Sequence, residues 1–150
     1  MKKRLVVLAL SAGTFIGMFS CSHDDDFTAN EQRLARKEWR ILDISRKSLL
    51  NPNQDSSILK SCSADDRLHF SLGWTFEFKD NAPACDSSIF QYDKGAWYFT
   101  DNEKKLMIVG SKRTQVWEVV SLNDTSLKVN WLDSTAADKK VLKTMSFKNK

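Results

Sequence analysis

The amino-acid sequence predicts an all-β domain of eight antiparallel strands, with a short helix in front of the first strand. Two observations carry this prediction. Apolar and polar residues alternate in several short segments between residues 39 and 148, which is the pattern of half-buried β-strands. Several of the connections between these segments have hairpin length and hairpin composition, which favours an antiparallel arrangement.

The alternation is clearest where large side chains recur at every second position. Trp74, Phe76 and Phe78 form one such row, and Leu127, Val129 and Trp131 form another. Successive side chains of a strand point to opposite faces, so each row is expected to lie on one face of the sheet. The pattern gives eight strands, at about residues 39–45, 67–71, 74–79, 96–100, 105–109, 115–122, 126–132 and 141–148.

The connections indicate an up-and-down order of strands. Tight turns are expected at Leu72-Gly73, at 101–103 and at Asn123-Asp124, whereas the connections at 46–66 and 80–95 are long. In a meander the turns alternate between the two ends of the sheet. The tight turns are therefore expected at one end and the long loops at the other.

A capping box predicts where the short helix begins. Thr28 stands at the N-cap position and Glu31 at the third helical position, the spacing at which each side chain can bond the other residue's backbone. Only Leu34 is apolar in the following turns, so we expect a helix of one or two turns.

The first 21 residues have the features of a lipoprotein signal. Lys2, Lys3 and Arg4 form a basic start, and the apolar run 5–19 is too short and interrupted for a bilayer span but suits a secretory signal. Ser20 is a small residue before Cys21, which is similar to a lipobox. Cys21 is thus expected to be the acylated first residue of the mature chain; an ordinary signal peptide is the alternative.

Processing would change the charge and the cysteine content. Of the 23 basic residues, three lie in 1–20, which leaves 20 against 19 acidic residues, so nucleic-acid binding loses its main electrostatic support. Cys62 and Cys85 remain as a pair, and in an oxidising envelope such a pair favours a disulfide. Zinc binding with Asp65, Asp66 and His69 is disfavoured, because no Cys-x-x-Cys or His-x-x-x-His spacing is present.

These features together resemble the lipocalin family, and most closely the lipocalin-like domain of Gram-negative lipoproteins. The resemblance is carried by Cys62-Ser63-Ala64-Asp65-Asp66 before a strand, by Cys85, and by Gly95-Ala96-Trp97 in the following strand. It covers about residues 38–150 and departs at Glu38-Trp39, where the glycine two residues before the tryptophan is missing. It implies an eight-stranded antiparallel up-and-down (lipocalin-like) barrel with a short N-terminal helix; another eight-stranded barrel or a sandwich is the alternative.

The expected organisation is a signal peptide at 1–20, an acylated tether with the short helix at 21–37, and the barrel at 38–150. Its aromatic side chains either line an apolar pocket or simply fill the core, since an eight-stranded barrel is just wide enough for side chains or one small ligand. The candidate pocket residues are Trp74, Phe76, Phe78, Trp97, Phe99 and Trp131.

The leading functional hypothesis is a membrane-anchored lipoprotein that binds a small apolar or amphipathic ligand. The alternative is an interaction module with a filled barrel, which binds another envelope protein or a glycan through its loops. No enzyme activity, metal or cofactor is expected, because no catalytic or phosphate-binding motif occurs. The acidic run Asp24-Asp25-Asp26 resembles a surface-export tag and favours the outer-membrane surface, with the periplasmic face as the alternative.

Overall fold

The computed structural model describes residues 27–49, 55–79, 93–133 and 141–149. Over these residues the chain forms a closed barrel of eight antiparallel strands, with one short helix on its amino-terminal side. The predicted all-β class, the up-and-down strand order and the short helix are confirmed. In the described ranges no helix has the length and apolar character needed to cross a membrane.

The elements closely match the predicted segments. Helix α1 is Ala29–Leu34, and the strands are β1 Glu38–Ser48, β2 Asp55–Ser57, β3 Arg67–Phe70, β4 Thr75–Lys79, β5 Asp93–Thr100, β6 Lys105–Gly110, β7 Thr114–Leu122, β8 Ser126–Asp133 and β9 Val141–Asn149. The sequence pattern missed β2, which is fully exposed and lies outside the barrel's eight strands.

Pairing between β1 and β9 closes the barrel. The two strands are antiparallel over almost their whole length, with Ile44 opposite Met145 and Ile41 opposite Phe147, all four buried. On its other edge β1 pairs with β3 only over Glu38–Arg40, and β2 pairs with it further along, at Ser45–Lys47. Strand β2 therefore covers an edge of β1 that the short β3 leaves open.

Two β-bulges adjust which side chains point inward. The register of β1 shifts between Ile41 and Asp43, so Ile41 and Ile44 both face the core although they are three residues apart. The bulged residue Leu42 is 48% exposed. A second bulge in β7 leaves Val120 52% exposed.

The interior is filled mainly by aromatic and branched side chains, as period-two alternation requires. Its largest fully buried members are Trp39, Trp97, Phe70, Phe147, Leu34, Ile41, Ile44, Leu68, Leu106, Leu127, Met145 and Val129. Aromatic rings meet edge to face in this core, with the Phe70 and Trp97 ring centroids 5.5 Å apart.

Helix α1 covers the end of the barrel that carries the tight turns, which we call the hairpin end. The predicted capping box is present: the Thr28 hydroxyl accepts from the Glu31 backbone N–H at 3.2 Å, and the Glu31 carboxylate accepts from the Thr28 N–H at 2.8 Å. Leu34 at the end of the helix is fully buried, and its carbonyl accepts a 2.9 Å hydrogen bond from the Trp39 indole. The opposite end, where residues 111–113 join β6 to β7, we call the loop end.

Because Leu34 closes the hairpin end, we expect Leu34→Ala to lower the free energy of unfolding by about 2–5 kcal/mol through lost burial and a new cavity. Chemical denaturation followed by tryptophan fluorescence measures the change. The matched control is Leu132→Ala, because Leu132 is 56% exposed on β8; its effect should stay within about 0.5 kcal/mol. Equal effects of the two variants would contradict this role of Leu34.

Candidate functional site

A small internal cavity lies in the half of the barrel nearer the loop end. Its volume is about 30 Å³, room for roughly two water molecules. Ordinary small-molecule pockets measure about 300–1,000 Å³. The described interior can therefore admit only a small group or the tip of a larger molecule. The cavity is lined by Leu68, Phe76, Phe78, Asp93, Ile108, Arg113, Gln115 and Trp117.

A pair of tryptophans connects this cavity to the next strands. The ring centroids of Trp117 and Trp131 lie 6.3 Å apart, and both side chains are buried. The Trp117 indole donates a 2.8 Å hydrogen bond to the Gln115 side chain, which fixes the ring against the cavity wall. The Lys143 ammonium lies 5.9 Å from the centre of the Trp131 ring, within reach of a cation–π interaction.

Basic side chains share the inward-facing side of the strands at the loop end. Ile44 and Met145 are paired across β1 and β9 and both point into the core. Arg46 and Lys143 are the next such pair, so strand alternation directs them to the same side. Like charges directly opposite each other destabilise a sheet. Arg113 lines the cavity, whereas Arg46 is exposed and Lys143 is half-buried beside the Trp131 ring.

Asp93 holds the β6–β7 turn against the start of β5. One of its carboxylate oxygens accepts hydrogen bonds from the Ser111 hydroxyl at 2.6 Å and from the Ser111 N–H at 2.9 Å. The Lys94 N–H donates to the same oxygen at 2.9 Å. Gly110 permits this close approach, because a Cβ at that position would collide with the Asp93 carboxyl group. The turn that carries Arg113 is thereby fixed at the rim of the cavity.

These hydrogen bonds decide the protonation of Asp93. Burial, the largest single influence, would raise the pKa of this carboxyl group, but the hydrogen bonds from Ser111 and from the Lys94 and Lys112 backbone together outweigh it. The pKa of Asp93 is held below its usual value of 3.8. Asp93 therefore carries a negative charge at neutral pH beside the guanidinium-bearing turn.

The structure separates Trp74 from the other candidate pocket residues. Phe76, Phe78, Trp97 and Trp131 are buried, and Phe99 is partly buried against the same core. Trp74 does not continue the Phe76–Phe78 row as expected, because it lies in the β3–β4 turn with a φ of 52° and is 50% exposed. Of the candidates only Phe76 and Phe78 line the cavity, while Trp97 packs towards the hairpin end, where its indole bonds the Ser71 carbonyl at 3.0 Å.

Sequence reasoning missed the polar members of the site. Asp93 and Arg113 lie just outside the predicted strands, and Trp117 sits in a segment that is apolar on both faces. For Trp117 the sequence carried a weak signal, because Gln115, Trp117 and Val119 occupy every second position of a strand and share one face. None was available for Asp93, because its partner Ser111 lies 18 residues away and is reached only through the fold.

The cysteine predictions fall partly outside the described residues. Cys62 lies in a one-turn 3₁₀ helix, Ser61–Ser63, before β3. Cys21 and Cys85 are outside the described ranges, so the acylation and the Cys62–Cys85 disulfide stay predictions. Among described residues, no group of three His, Cys, Asp or Glu side chains is placed to hold a metal ion.

A second, open depression lies on the outer wall of the barrel. It has a volume of about 600 Å³ and is lined by His69, Thr75, Phe76, Glu77, Lys94, Gly95, Ala96 and Ser111. His69 is opposite Glu77 across β3 and β4, and its Nδ1 lies 3.2 Å from the Lys37 carbonyl oxygen. The depression is a surface groove and has no enclosed apolar interior.

Comparison of the chain with protein-family models gave no match, and no curated protein matches it. The class of protein therefore rests on the fold and the site. They define a small closed β-barrel with one end covered by a helix and a narrow, mainly apolar cavity, edged by Asp93 and Arg113, towards the other end.

The hydrogen bonds from Ser111 and Lys94 to the Asp93 carboxylate, which we call the Asp93 clamp, should make the stability of the barrel depend on pH. Because its pKa is lower in the folded than in the unfolded chain, the clamp stabilises the barrel above the unfolded pKa, about 3.9, and this contribution is lost as the pH falls through the lower folded value. At pH 7 we expect Asp93→Asn to lower the free energy of unfolding by about 1.5–3 kcal/mol. As the pH falls below about 3.9 and Asp93 becomes protonated, the difference from wild type should shrink.

Denaturant titrations of wild type and variant at pH 7 and at decreasing pH provide the measurement. Asp55→Asn is the control, since Asp55 is exposed on β2, and it should change stability by no more than about 0.5 kcal/mol. A constant Asp93→Asn difference across the whole pH range would show that the carboxylate charge is unimportant.

Proposed function

We propose that the protein is a membrane-anchored, lipocalin-like lipoprotein that binds a small amphipathic ligand with an acidic group at the loop end of its barrel. The observation that carries this proposal is the apolar cavity with Arg113 at its rim, next to the tryptophan pair and Lys143. Apolar walls with a few convergent polar groups are the usual composition of a ligand site.

The chemistry of the site favours a particular orientation of the ligand. Leu68, Phe78 and Ile108 offer an apolar wall, which suits the end of a hydrocarbon chain or a small ring. The acidic group would stay at the rim, where Arg113 provides positive charge, with Lys143 on the far side of the tryptophan pair. Since the cavity holds about 30 Å³, most of the ligand would lie across the loop end and only its tip would enter.

A second candidate function, an interaction module with a filled barrel, is favoured by a different observation. Tyr98, Met107 and Val116 are directly opposite one another on β5, β6 and β7 and form an apolar row on the outer wall. Tyr98 is 44% and Val116 is 45% exposed. Such a row suits contact with another envelope protein, and under this alternative the interior has only a structural role.

Matched probes can test the ligand site. We expect a C12 alkyl sulfate below its micelle concentration to change the tryptophan fluorescence, because Trp117 and Trp131 lie beside the cavity. Lys143→Met should weaken its binding by about 2–10-fold, the range for a partly screened ion pair. The same Lys143→Met substitution should change the binding of a neutral C12 maltoside little.

Lys148→Met is the control, because Lys148 is on the same strand but exposed. It should leave the binding of both probes unchanged. Absence of any fluorescence response to either C12 probe would refute the ligand site. Loss of a bound envelope protein on Val116→Glu would then support the interaction module.

The anchoring part of the proposal has a separate test. We expect Cys21→Ser to prevent acylation and to move the protein from the membrane pellet to the soluble fraction of its Gram-negative host. Cys62→Ser should remain in the pellet, since Cys62 lies in the folded domain before β3. Cell fractionation with a high-salt wash measures both, and a Cys21→Ser protein that still pellets would exclude the lipid anchor.

A further inference from the structure

Trp74 combines a strained backbone with a half-exposed side chain. It ends the β3–β4 turn, where its N–H donates to the Ser71 carbonyl at 3.1 Å. Its φ of 52° lies in the left-handed region, which is a true outlier for a bulky side chain and costs roughly 1–2 kcal/mol. The side chain is 50% exposed, so about half of its large apolar surface still faces solvent. A strained residue that leaves this much apolar surface in solvent points to a functional role.

Trp74 differs from the other tryptophans. The remaining four of the five, Trp39, Trp97, Trp117 and Trp131, are between 0% and 6% exposed. The partner of the Trp74 ring is Phe27, whose ring centroid lies 5.5 Å away. Phe27 directly precedes the N-cap Thr28 of α1. The two rings therefore form an apolar pair on the outside of the hairpin end, where the amino-terminal segment meets the domain.

The segment between Cys21 and Phe27 limits how far the Phe27–Trp74 pair can lie from an acylated Cys21. Phe27 lies only six positions after Cys21, with five residues between them. At about 3.6 Å per residue, a fully extended segment would span at most about 22 Å. Acylation at Cys21 would hold the pair near the bilayer surface, and a shorter path would bring it into the headgroup layer. Tryptophan is enriched in that layer, because its ring is apolar while its N–H still finds a polar partner.

We infer that Trp74 and Phe27 insert into the headgroup layer of the membrane that holds acylated Cys21. The contact fixes the barrel with its hairpin end towards the membrane and its loop end, with the cavity, away from it. The inference rests on the proposed lipid anchor and adds a second, non-covalent membrane contact. It also accounts for the backbone conformation of Trp74, which directs a large ring outward from a tight turn.

Trp74 can report on its own environment. The acylated full-length protein is reconstituted into phosphatidylcholine vesicles whose chains carry bromine close to the headgroups. We expect the brominated lipid to quench up to about one fifth of the tryptophan emission, since Trp74 is one of five tryptophans and the other four are buried. Trp74→Asn should abolish this quenching, and its unfolding midpoint should equal or exceed that of wild type, because asparagine tolerates the left-handed conformation.

Tyr98→Asn is the matched control, an exposed aromatic residue on the side wall, and it should leave the quenching unchanged. Flotation of the vesicles separates the two proposals. Protein that floats but shows equal, weak quenching with and without Trp74 overturns this inference while the lipid anchor stands. Protein that does not float overturns both. Floated protein whose Trp74 remains fully accessible to aqueous acrylamide also overturns it.

Discussion

The pairing of β1 with β9 is the constraint on which the rest of the structure depends. It converts a meander with two open edges into a closed wall, and only a closed wall has an inside. The bulge at Leu42 keeps Ile41 and Ile44 on the inner face, so β1 supplies core residues on both sides of the irregularity. With β3 only four residues long, β2 completes the pairing of β1 near the loop end.

Closure also divides the interior into two halves with different chemistry. At the hairpin end Leu34, Trp39 and Trp97 are fully buried, and the two indoles donate hydrogen bonds to the Leu34 and Ser71 carbonyls. Towards the loop end the inward positions become Gln115, Arg113 and Asp93. An apolar wall that ends in a charged rim is what distinguishes this barrel from a plain core. This change from apolar to charged side chains along the barrel favours an amphipathic ligand over a purely apolar one.

The sequence allowed most of the fold to be predicted, because successive side chains of a strand point to opposite faces and apolar residues therefore recur at every second position. Rows such as Leu127, Val129 and Trp131 were predicted as inward and are buried. Alternation could not reveal β2, whose Asp-Ser-Ser sequence has no buried face. It failed at Trp74, because the turn conformation moves that residue out of the row of Phe76 and Phe78. It also could not reveal the Asp93–Ser111 clamp, which exists only after two distant segments have met.

The covalent order of the chain sets the order in which this architecture can be completed. Every other strand pairing among the described residues of the barrel joins strands that are near neighbours in sequence, but β1 must wait for β9. Contacts between distant segments slow folding, because the entropy of closing a long loop is lost before the pairing energy is gained. A chain synthesised from its amino end therefore carries an unpaired β1 edge until nearly all of the domain has emerged. That delay leaves the β9-facing edge of β1 unpaired, and available to chaperones, until the barrel closes.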